Sequence, residues 1–338
     1  MNSSSIFPFV VADIGGTNAR FGIATGEKDK DKRFIIEHQQ VYTCAKFTKF
    51  ETVFKQYLDA VHIESRHQEI KYACIAIAAP VVGDEISMTN LDWTFSIKQL
   101  CQQNNMEKIH VVNDFGALAY STLYLQDSEL KTIYSANNNY SASQSKSKAI
   151  IGPGTGLGIA GLIHSQSAWH PVCGEGGHSS FAVTDSLQFE VRKALLSILK
   201  TQHISIENIL SGPGLVNLYQ AVCQINNEKA ETLNAAQISE LAAKKSNKNC
   251  IKALELFTQT LGASAGDIAL TMGAFGGVYL SGGILPKIID TMDTQLLIEH
   301  YLNKGVKQDL LKTIPVYLVS APMPALTGAA HLMFDLGK

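Results

Sequence analysis

Three glycine-rich turns, each beside an apolar run, are the first candidates for chemistry in this sequence. Glycine lets a backbone approach a phosphate group closely and point successive N–H groups at it, and threonine adds a hydroxyl donor. Any one of them could be an ordinary tight turn, but three together, one with an acid at the end of its strand, favour nucleotide phosphate. The turns are Asp13-Ile14-Gly15-Gly16-Thr17-Asn18, Gly152-Pro153-Gly154-Thr155-Gly156-Leu157-Gly158, and Gly276-Gly277 through Ser281-Gly282-Gly283.

Two common phosphate-binding patterns are absent from the sequence. G-x-G-x-x-G fails in the second turn, because Leu157 and Ile159 occupy the positions where its last glycine would stand. No G-x-x-x-x-G-K-[ST] occurs either, which excludes a P-loop. The failed dinucleotide fingerprint also disfavours a nicotinamide-dependent oxidoreductase.

Asp13 ends the first apolar run and is a candidate ligand for a metal ion. Mg²⁺ prefers one or two carboxylates together with waters and phosphate oxygens, so this single acid could hold the ion through water. Capping or hydrogen-bonding the turn is the alternative role for Asp13. The spacing alone does not decide between them.

A second acid, Asp114, follows Asn113 at the end of the apolar run 109–112. The carboxyl ends of buried strands are where α/β sheets place ligands, so Asp114 could accept a hydroxyl proton in a phosphoryl transfer. The alternative is a helix N-cap, because a helical pattern begins at Phe115 and aspartate is a preferred cap.

Glu175-Gly176-Gly177-His178 joins a carboxylate and an imidazole on a glycine-flanked loop. Such a pair suits sugar hydroxyls, each of which can donate and accept a hydrogen bond. A metal pair is the rival interpretation, although no further ligand pattern completes a metal site, and a plain loop is a third. Glu207, taken by itself, would be a solvated or helix-starting acid.

Composition narrows the class of protein. The 338 residues are 46% hydrophobic and 17% charged, against roughly 25% charged in an average globular protein. The net charge of -2 provides no field to attract a polyanion, so nucleic acid is not expected as a partner. No stretch approaches the ~20 apolar residues that span a bilayer, and no basic residue precedes the short N-terminal apolar run. We therefore expect a cytoplasmic protein with no membrane partner.

Periodicity predicts the elements that must position these residues. Apolar runs at 9–12 and 20–24 predict a hairpin, and the run 72–79 predicts a strand buried on both faces. Three- and four-residue steps between 47 and 63 predict a helix. Further helical patterns cover about 185–200, 214–225, 235–244, 249–272 and 324–334, and further strands about 34–42, 109–112, 277–281 and 316–319.

Residues 149–160 repeat the strand, Gly-Thr turn and strand of residues 10–24, which indicates a weak internal duplication. We expect a smaller N-terminal α/β domain over 1–134 and a larger C-terminal α/β domain over 149–321. The polar, Asn- and Ser-rich stretch 135–148 would be a loop or connector between them.

Seven motifs in one order make the chain resemble bacterial glucokinase, the hexokinase-like branch of the actin-like ATPase superfamily. The resemblance implies two similar RNase H-like domains with mixed central sheets flanked by helices and an active site in the cleft between them. The C-terminal helix, about 322–338, would complete the N-terminal domain. The motifs are Ala12 to Arg20, Met88 to Phe95, Asn113-Asp114-Phe115, Gly154 to Gly158, Gly174 to His178, Glu207 to Tyr219, and Gly276 to Ile284.

The resemblance also implies a role for each candidate residue. Asp114 would be the general base for the glucose 6-hydroxyl, and Asn113, Glu175, His178 and Glu207 would bind the other hydroxyls. The Mg-ATP phosphates would be held by Ala12-Asp13-Ile14-Gly15-Gly16-Thr17 and Gly154-Thr155-Gly156. The Gly282-Gly283 segment would lie near the adenosine. The family also implies a homodimer.

We therefore expect ATP-dependent phosphorylation of glucose to glucose 6-phosphate and ADP, with ATP and Mg²⁺ as cofactors. One alternative is a non-catalytic sugar sensor of the same fold, for which intact Asp13 and Asp114 would be surplus. Another is a kinase of a different hexose. The sequence lacks the cysteine-rich zinc motif of the related repressor-type sugar kinases, with Ser179-Ser180 standing nearby where cysteines would be needed.

Overall fold

The computed structural model describes residues 6–64, 69–88, 91–136 and 146–337. Its strands are β1 (Phe9–Ile14), β2 (Asn18–Lys28), β3 (Phe34–Thr43), β4 (Tyr72–Ile77), β5 (Glu85–Ser87), β6 (Thr94–Ser96), β7 (Lys108–Asn113), β8 (Leu130–Tyr134), β9 (Lys148–Pro153), β10 (Leu157–Ser165), β11 (Ala168–Gly174), β12 (Val278–Leu280) and β13 (Val316–Val319). Its α-helices are α1 (Phe50–Glu64), α2 (Ile97–Gln103), α3 (Asp114–Ser121), α4 (Ser186–Ile198), α5 (Gly212–Ile225), α6 (Ala235–Ala243), α7 (Lys248–Met272), α8 (Leu285–Ile288), α9 (Thr294–Leu302), α10 (Gln308–Leu311) and α11 (Pro324–Leu336).

The chain divides into two compact units. The first comprises residues 1–126, 165–174 and 321–338, and the second comprises 127–164 and 175–320. The predicted boundary at 134 differs from the observed one because β8 pairs with β13 of the second unit. The segment 165–174 joins the first unit because β11 packs against α3. Most of the predicted connector, 137–145, lies outside the described residues.

The first unit is built on a sheet with strand order β3-β2-β1-β4-β7. The β1–β2 pair is antiparallel, as the hairpin pattern predicts, whereas β1–β4 and β4–β7 are parallel. Successive β1 side chains enter different cores: Val10 and Ala12 pack with α1, whereas Phe9 and Val11 pack with α11. Burial on both faces explains why this strand reads as a continuous apolar run.

The second unit repeats part of this arrangement. Its strands lie in the order β10-β9-β12-β13-β8, with β9–β10 antiparallel and β9–β12 and β12–β13 parallel. The order β10-β9-β12-β13 matches β2-β1-β4-β7 of the first unit, so the duplication in the sequence corresponds to a repeated topology. Mixed sheets flanked by helices in both units confirm the predicted α/β class. Across the described ranges, none of the helices combines the length and apolar composition needed to cross a membrane.

Helix α3, which begins at Asp114, is held by close packing against α11. A Cβ atom added at Gly328 of α11 would lie 1.8 Å from the backbone oxygen of Ala117 in α3. Glycine has only a hydrogen atom at this position, so the two backbones approach more closely than any other residue would allow. On the same helix pair, the hydroxyl of Tyr120 donates a hydrogen bond to Asp335.

Gly328→Ala is therefore expected to destabilise the protein. Alanine gains about 1 kcal/mol in helix propensity over glycine, but forcing a methyl into the Ala117 carbonyl should cost more, giving a net loss on the order of 2 kcal/mol. Urea unfolding of the variant and the parent measures this loss in the free energy of unfolding. Gly337→Ala is the matched control, because its Cβ would meet its nearest neighbours at an ordinary 3.5 Å. Equal stability of the two variants would contradict this account of the packing.

Candidate functional site

Asp13 lies near the end of β1, directly opposite Arg20 in the antiparallel register with β2. That register brings Arg20 Nη1 to 3.1 Å from Asp13 Oδ2. Burial raises the pKa of the Asp13 carboxyl above its ordinary value, and the charge and hydrogen bond of Arg20 oppose the shift only in part. The sequence motif contains both residues, but their pairing depends on strand register, which the motif does not reveal.

The turn after Asp13 offers only some of its groups to a ligand. The Gly15 amide donates to the Asn18 carbonyl at 3.0 Å, and the Thr17 carbonyl accepts from the Cys44 amide at 2.9 Å. Thr17 itself is exposed. These two backbone bonds leave the amides of Gly16 and Thr17 and the Thr17 hydroxyl as donors for an anion.

Asn113 and Asp114 have separate roles at the start of α3. The Asn113 Oδ1 atom accepts hydrogen bonds from the amides of Phe115 and Gly116 at 3.0 and 3.2 Å, so Asn113 is the N-cap. Asp114 is the first helical residue, and its Oδ1 accepts from the Phe115 amide at 2.9 Å. The cap that spacing allowed at Asp114 is thus supplied by its neighbour, and the Asp114 carboxylate stands at the helix terminus that favours negative charge.

The parallel register places Asp114 and Asp13 at the same edge of the first sheet. Asp13 is aligned with Ala76 of β4, which is aligned with Val112 of β7. Since neighbouring strands are about 4.8 Å apart, the ends of β1 and β7 are separated by roughly 10 Å. This edge therefore combines an acid, a glycine turn and a second acid at a helix start.

Cys173 contacts this same helix start and was not identified from the sequence. A Cβ added at Gly116 would lie 2.5 Å from Cys173 Sγ, so the thiol fills the space above the first turn of α3. Desolvation of the thiol, together with the nearby Asp114 carboxylate, raises the pKa of Cys173 to about 11. The thiol is thus protonated at neutral pH. Only the packing of β11 on α3 brings it here, which no local motif encodes.

In the second unit the structure brings Glu175, His178 and Glu207 together. His178 Nε2 lies 3.9 Å from Glu175 Oε2, and His178 Nδ1 lies 4.0 Å from Glu207 Oε1. The side chains of Glu175 and His178 are each 58% exposed and that of Glu207 is 30% exposed. An imidazole between two accessible carboxylates presents both donors and acceptors to a polyhydroxylated ligand.

Glycine makes this grouping possible. A Cβ at Gly177 would lie 2.3 Å from the Leu157 carbonyl oxygen, so only glycine lets the loop lie so close to β10. The Gly177 carbonyl accepts from the Glu207 amide at 2.9 Å, and the Ser179 carbonyl accepts from the Ile206 amide at 2.9 Å. These backbone bonds align the Glu175–His178 loop with the segment that carries Glu207.

A further bond to this loop was not foreseen. A ring nitrogen of His203, Nε2, lies 3.1 Å from the His178 carbonyl oxygen. This contact holds the His178 backbone against the segment that leads to Glu207. The sequence offered no motif at His203, because the partner is a main-chain atom.

The two glycine turns of the second unit also lie side by side. Gly282 adopts a φ of 90°, and a Cβ there would lie 2.4 Å from the Pro153 carbonyl oxygen. The Gly154 amide donates to the Gly156 carbonyl at 2.7 Å, which closes the β9–β10 turn around an exposed Thr155. Gly154-Thr155-Gly156 and Gly282-Gly283 therefore form one glycine-rich surface at the carboxyl ends of β9 and β12.

The side chains near the first glycine turn suit a metal ion whose other ligands are waters and phosphate oxygens. Within the described ranges, no cluster of three or more His, Cys, Asp or Glu side chains could hold a metal ion. Mg²⁺ keeps several waters and takes only one or two carboxylates when phosphates supply the rest. Asp13 beside its glycine turn matches that requirement.

Comparison with known proteins identifies the glucokinase family. The glucokinase family model matches residues 10–335. A glucokinase from Saccharophagus degradans is 38% identical over 331 residues, covering 98% of this chain and 99% of that protein. The crystal structure of a glucokinase from an Antarctic psychrotroph, 34% identical, superposes with a TM-score of 0.83 and covers 97% of this chain and 99% of that one.

A more distantly related protein shares the fold of this chain. A ROK family glucokinase from Streptomyces griseus, solved in complex with glucose and AMPPNP, is 18% identical and has a TM-score of 0.62. The alignment covers 96% of this chain and 98% of that one.

The raised pKa of Asp13 predicts that this residue destabilises the folded protein at neutral pH. The folded state binds the Asp13 proton more tightly than the unfolded chain does, so the cost is fully present above the folded-state pKa and vanishes below the unfolded one. Asp13→Asn should therefore unfold at higher urea than the parent at about pH 7, with the gain shrinking as the pH falls toward about 4.

Asp29→Asn provides a control of opposite sign. Desolvation raises the pKa of Asp29, but hydrogen bonds from the backbone and side chain of Arg33 outweigh it and lower the pKa overall. This variant should lose stability at neutral pH and converge with the parent in acid. A loss of stability by Asp13→Asn at neutral pH would show that the Arg20 ion pair outweighs burial.

Proposed function

This chain belongs to the glucokinase family and phosphorylates glucose, and we propose that it transfers the γ-phosphoryl group of ATP to the 6-hydroxyl with Asp114 as the general base. The observation that carries the proposal is the position of Asp114. It begins α3 at the carboxyl end of β7, while Asn113 supplies the helix cap in its place. A carboxylate so placed can face a ligand at the sheet edge.

The proposed step needs few covalent changes. The 6-hydroxyl gives its proton to the Asp114 carboxylate as its oxygen bonds to the γ-phosphorus, and the bond from that phosphorus to the β–γ bridging oxygen breaks to release ADP. In such transfers the protein contributes mainly positioning and charge stabilisation. Asp114 lies at a helix N-terminus, where negative charge is favoured.

Glu175, His178 and Glu207 are proposed to bind the other hydroxyls. A hydroxyl can donate to a carboxylate and accept from an imidazole N–H, so this group of three fits adjacent hydroxyls of one sugar. Asn113 would join through Nδ2, which carries two hydrogens and uses one in a 3.4 Å bond to the Ala79 carbonyl.

ATP phosphates are proposed to bind the glycine turns. Gly15-Gly16-Thr17 and Gly154-Thr155-Gly156 offer backbone amides and exposed threonine hydroxyls, and the Gly282-Gly283 turn beside the latter suits the adenosine. The β1 segment from Ala12 to Ile14 leads directly into the first turn and orients it. Mg²⁺, held by Asp13 through water, would neutralise charge on the transferring phosphoryl group.

Nucleotide use is supported by a neighbour of the same fold that was solved with AMPPNP. A coupled assay of ADP release over a panel of hexoses tests the whole proposal. Glucose-dependent ADP release excludes a sugar sensor, and a preference for another hexose would revise the substrate.

Light scattering tests the homodimer that the resemblance implies, and cell fractionation tests the cytoplasmic location.

Asp114→Asn is expected to lower kcat roughly 10²- to 10⁴-fold while leaving glucose affinity within a few-fold of the parent, because the amide keeps the shape but cannot take the proton. Steady-state kinetics and glucose calorimetry separate the two effects. Asp59→Asn, an exposed carboxylate on α1 of the same unit, should turn over normally. Full activity of Asp114→Asn would refute the assignment of the base.

Asp13→Asn is expected to raise the KM for Mg-ATP at least about tenfold, because the amide binds the metal or its waters less well. Glucose affinity without nucleotide should stay unchanged, and calorimetry checks it. A variant with the parent's ATP and Mg²⁺ dependence would restrict Asp13 to its pairing with Arg20.

A further inference from the structure

The Glu207 carboxylate touches a nucleotide turn as well as the sugar-binding group. Its Oε2 accepts a hydrogen bond from the Leu157 amide at 2.7 Å, where the Gly154-Thr155-Gly156 turn enters β10. Its Oε1 faces His178 Nδ1 at 4.0 Å. The two oxygens of one side chain therefore link the turn to the sugar group.

Gly156 provides the space for this bond. A Cβ added at Gly156 would lie 2.5 Å from Glu207 Oε2 and 3.3 Å from the carboxyl carbon. A carboxylate cannot remain there beside a methyl group, so any side chain at this position must displace it. The equivalent atom at Gly154, two residues earlier, would meet nothing nearer than the Gly156 carbonyl oxygen at 3.9 Å.

Hydrogen bonds restrain the backbone around Glu207. The Glu207 amide donates to the Gly177 carbonyl at 2.9 Å, and the Glu207 carbonyl accepts from the Ser211 hydroxyl at 2.8 Å. The turn is held in the same way, because the Gly212 amide donates to the Gly154 carbonyl at 2.9 Å. A clash at Gly156 would therefore be taken up by rotation of the Glu207 side chain.

We propose that Gly156, a residue of the nucleotide turn, is a positioning residue for glucose. Its missing side chain lets the Leu157 amide fix one oxygen of Glu207, which leaves the other oxygen aimed at His178 and the sugar. This inference rests on the proposed role of Glu207 as a glucose ligand. It predicts an effect on sugar binding from a residue whose sequence motif indicates only phosphate.

Calorimetry with glucose alone, in the absence of nucleotide, tests the proposal. Gly156→Ala should weaken the glucose Kd roughly 10- to 100-fold, the loss expected for one charged hydrogen bond. Gly154→Ala should leave this Kd unchanged, although it lies in the same turn. Equal glucose affinity in Gly156→Ala and the parent would overturn the inference.

A second variant separates positioning from general damage to the fold. In Gly156→Ala/Glu207→Asp the shorter acid makes room for the methyl group, so the losses of the two single variants should be less than additive. Strictly additive losses would also overturn the inference. Failure of the parent to bind glucose would instead refute the proposed function, so the two failures are distinguishable.

Discussion

Close approach of one backbone to another, which only glycine permits, is the constraint on which the polar groups of both units depend. In the first unit, Gly328 lets α11 press against the helix that begins at Asp114. In the second, Gly177 brings the His178 loop onto the Leu157 carbonyl. Neither glycine carries a functional group, yet each fixes the place of one that does. Side chains on rigid, closely packed backbone lose little freedom on binding a ligand.

Parallel strand pairing explains why the candidate residues of the first unit fall at one edge of its sheet. Strands β1, β4 and β7 are parallel neighbours, so their carboxyl ends meet at one edge. The turn after β1 and the helix after β7 both leave the sheet at this edge. Charge at this edge is costly for Asp13, whose partly buried carboxyl beside Arg20 has a raised pKa. Asp114 instead stands at a helix N-terminus, where negative charge is favoured.

The sequence predicted those features that are encoded locally. The apolar runs at 9–12 and 20–24 and the repeated Gly-Thr turn predicted both hairpins, and the motif Glu175 to His178 contained a pair of groups that does lie together. Features that depend on distant pairing were missed. The Leu157 amide that holds Glu207 is a main-chain atom and has no residue type to recognise it. Likewise, no strand was predicted over the residues of β8, and only the pairing of β8 with β13 assigns it to the second unit.

The first unit is assembled from three separate stretches of chain, and this has a consequence for biosynthesis. Tyr120 on α3 and Asp335 on α11 are 215 residues apart, and the whole second unit is translated between them. A ribosome synthesises the chain from the N-terminus, so the sheet of the first unit emerges long before the helix that covers one of its faces. Until then Phe9 and Val11 have no α11 to pack against. The nascent chain therefore carries this apolar sheet face without α11 through most of its translation, and the helix that begins at Asp114 gains its packing against α11 only at the end.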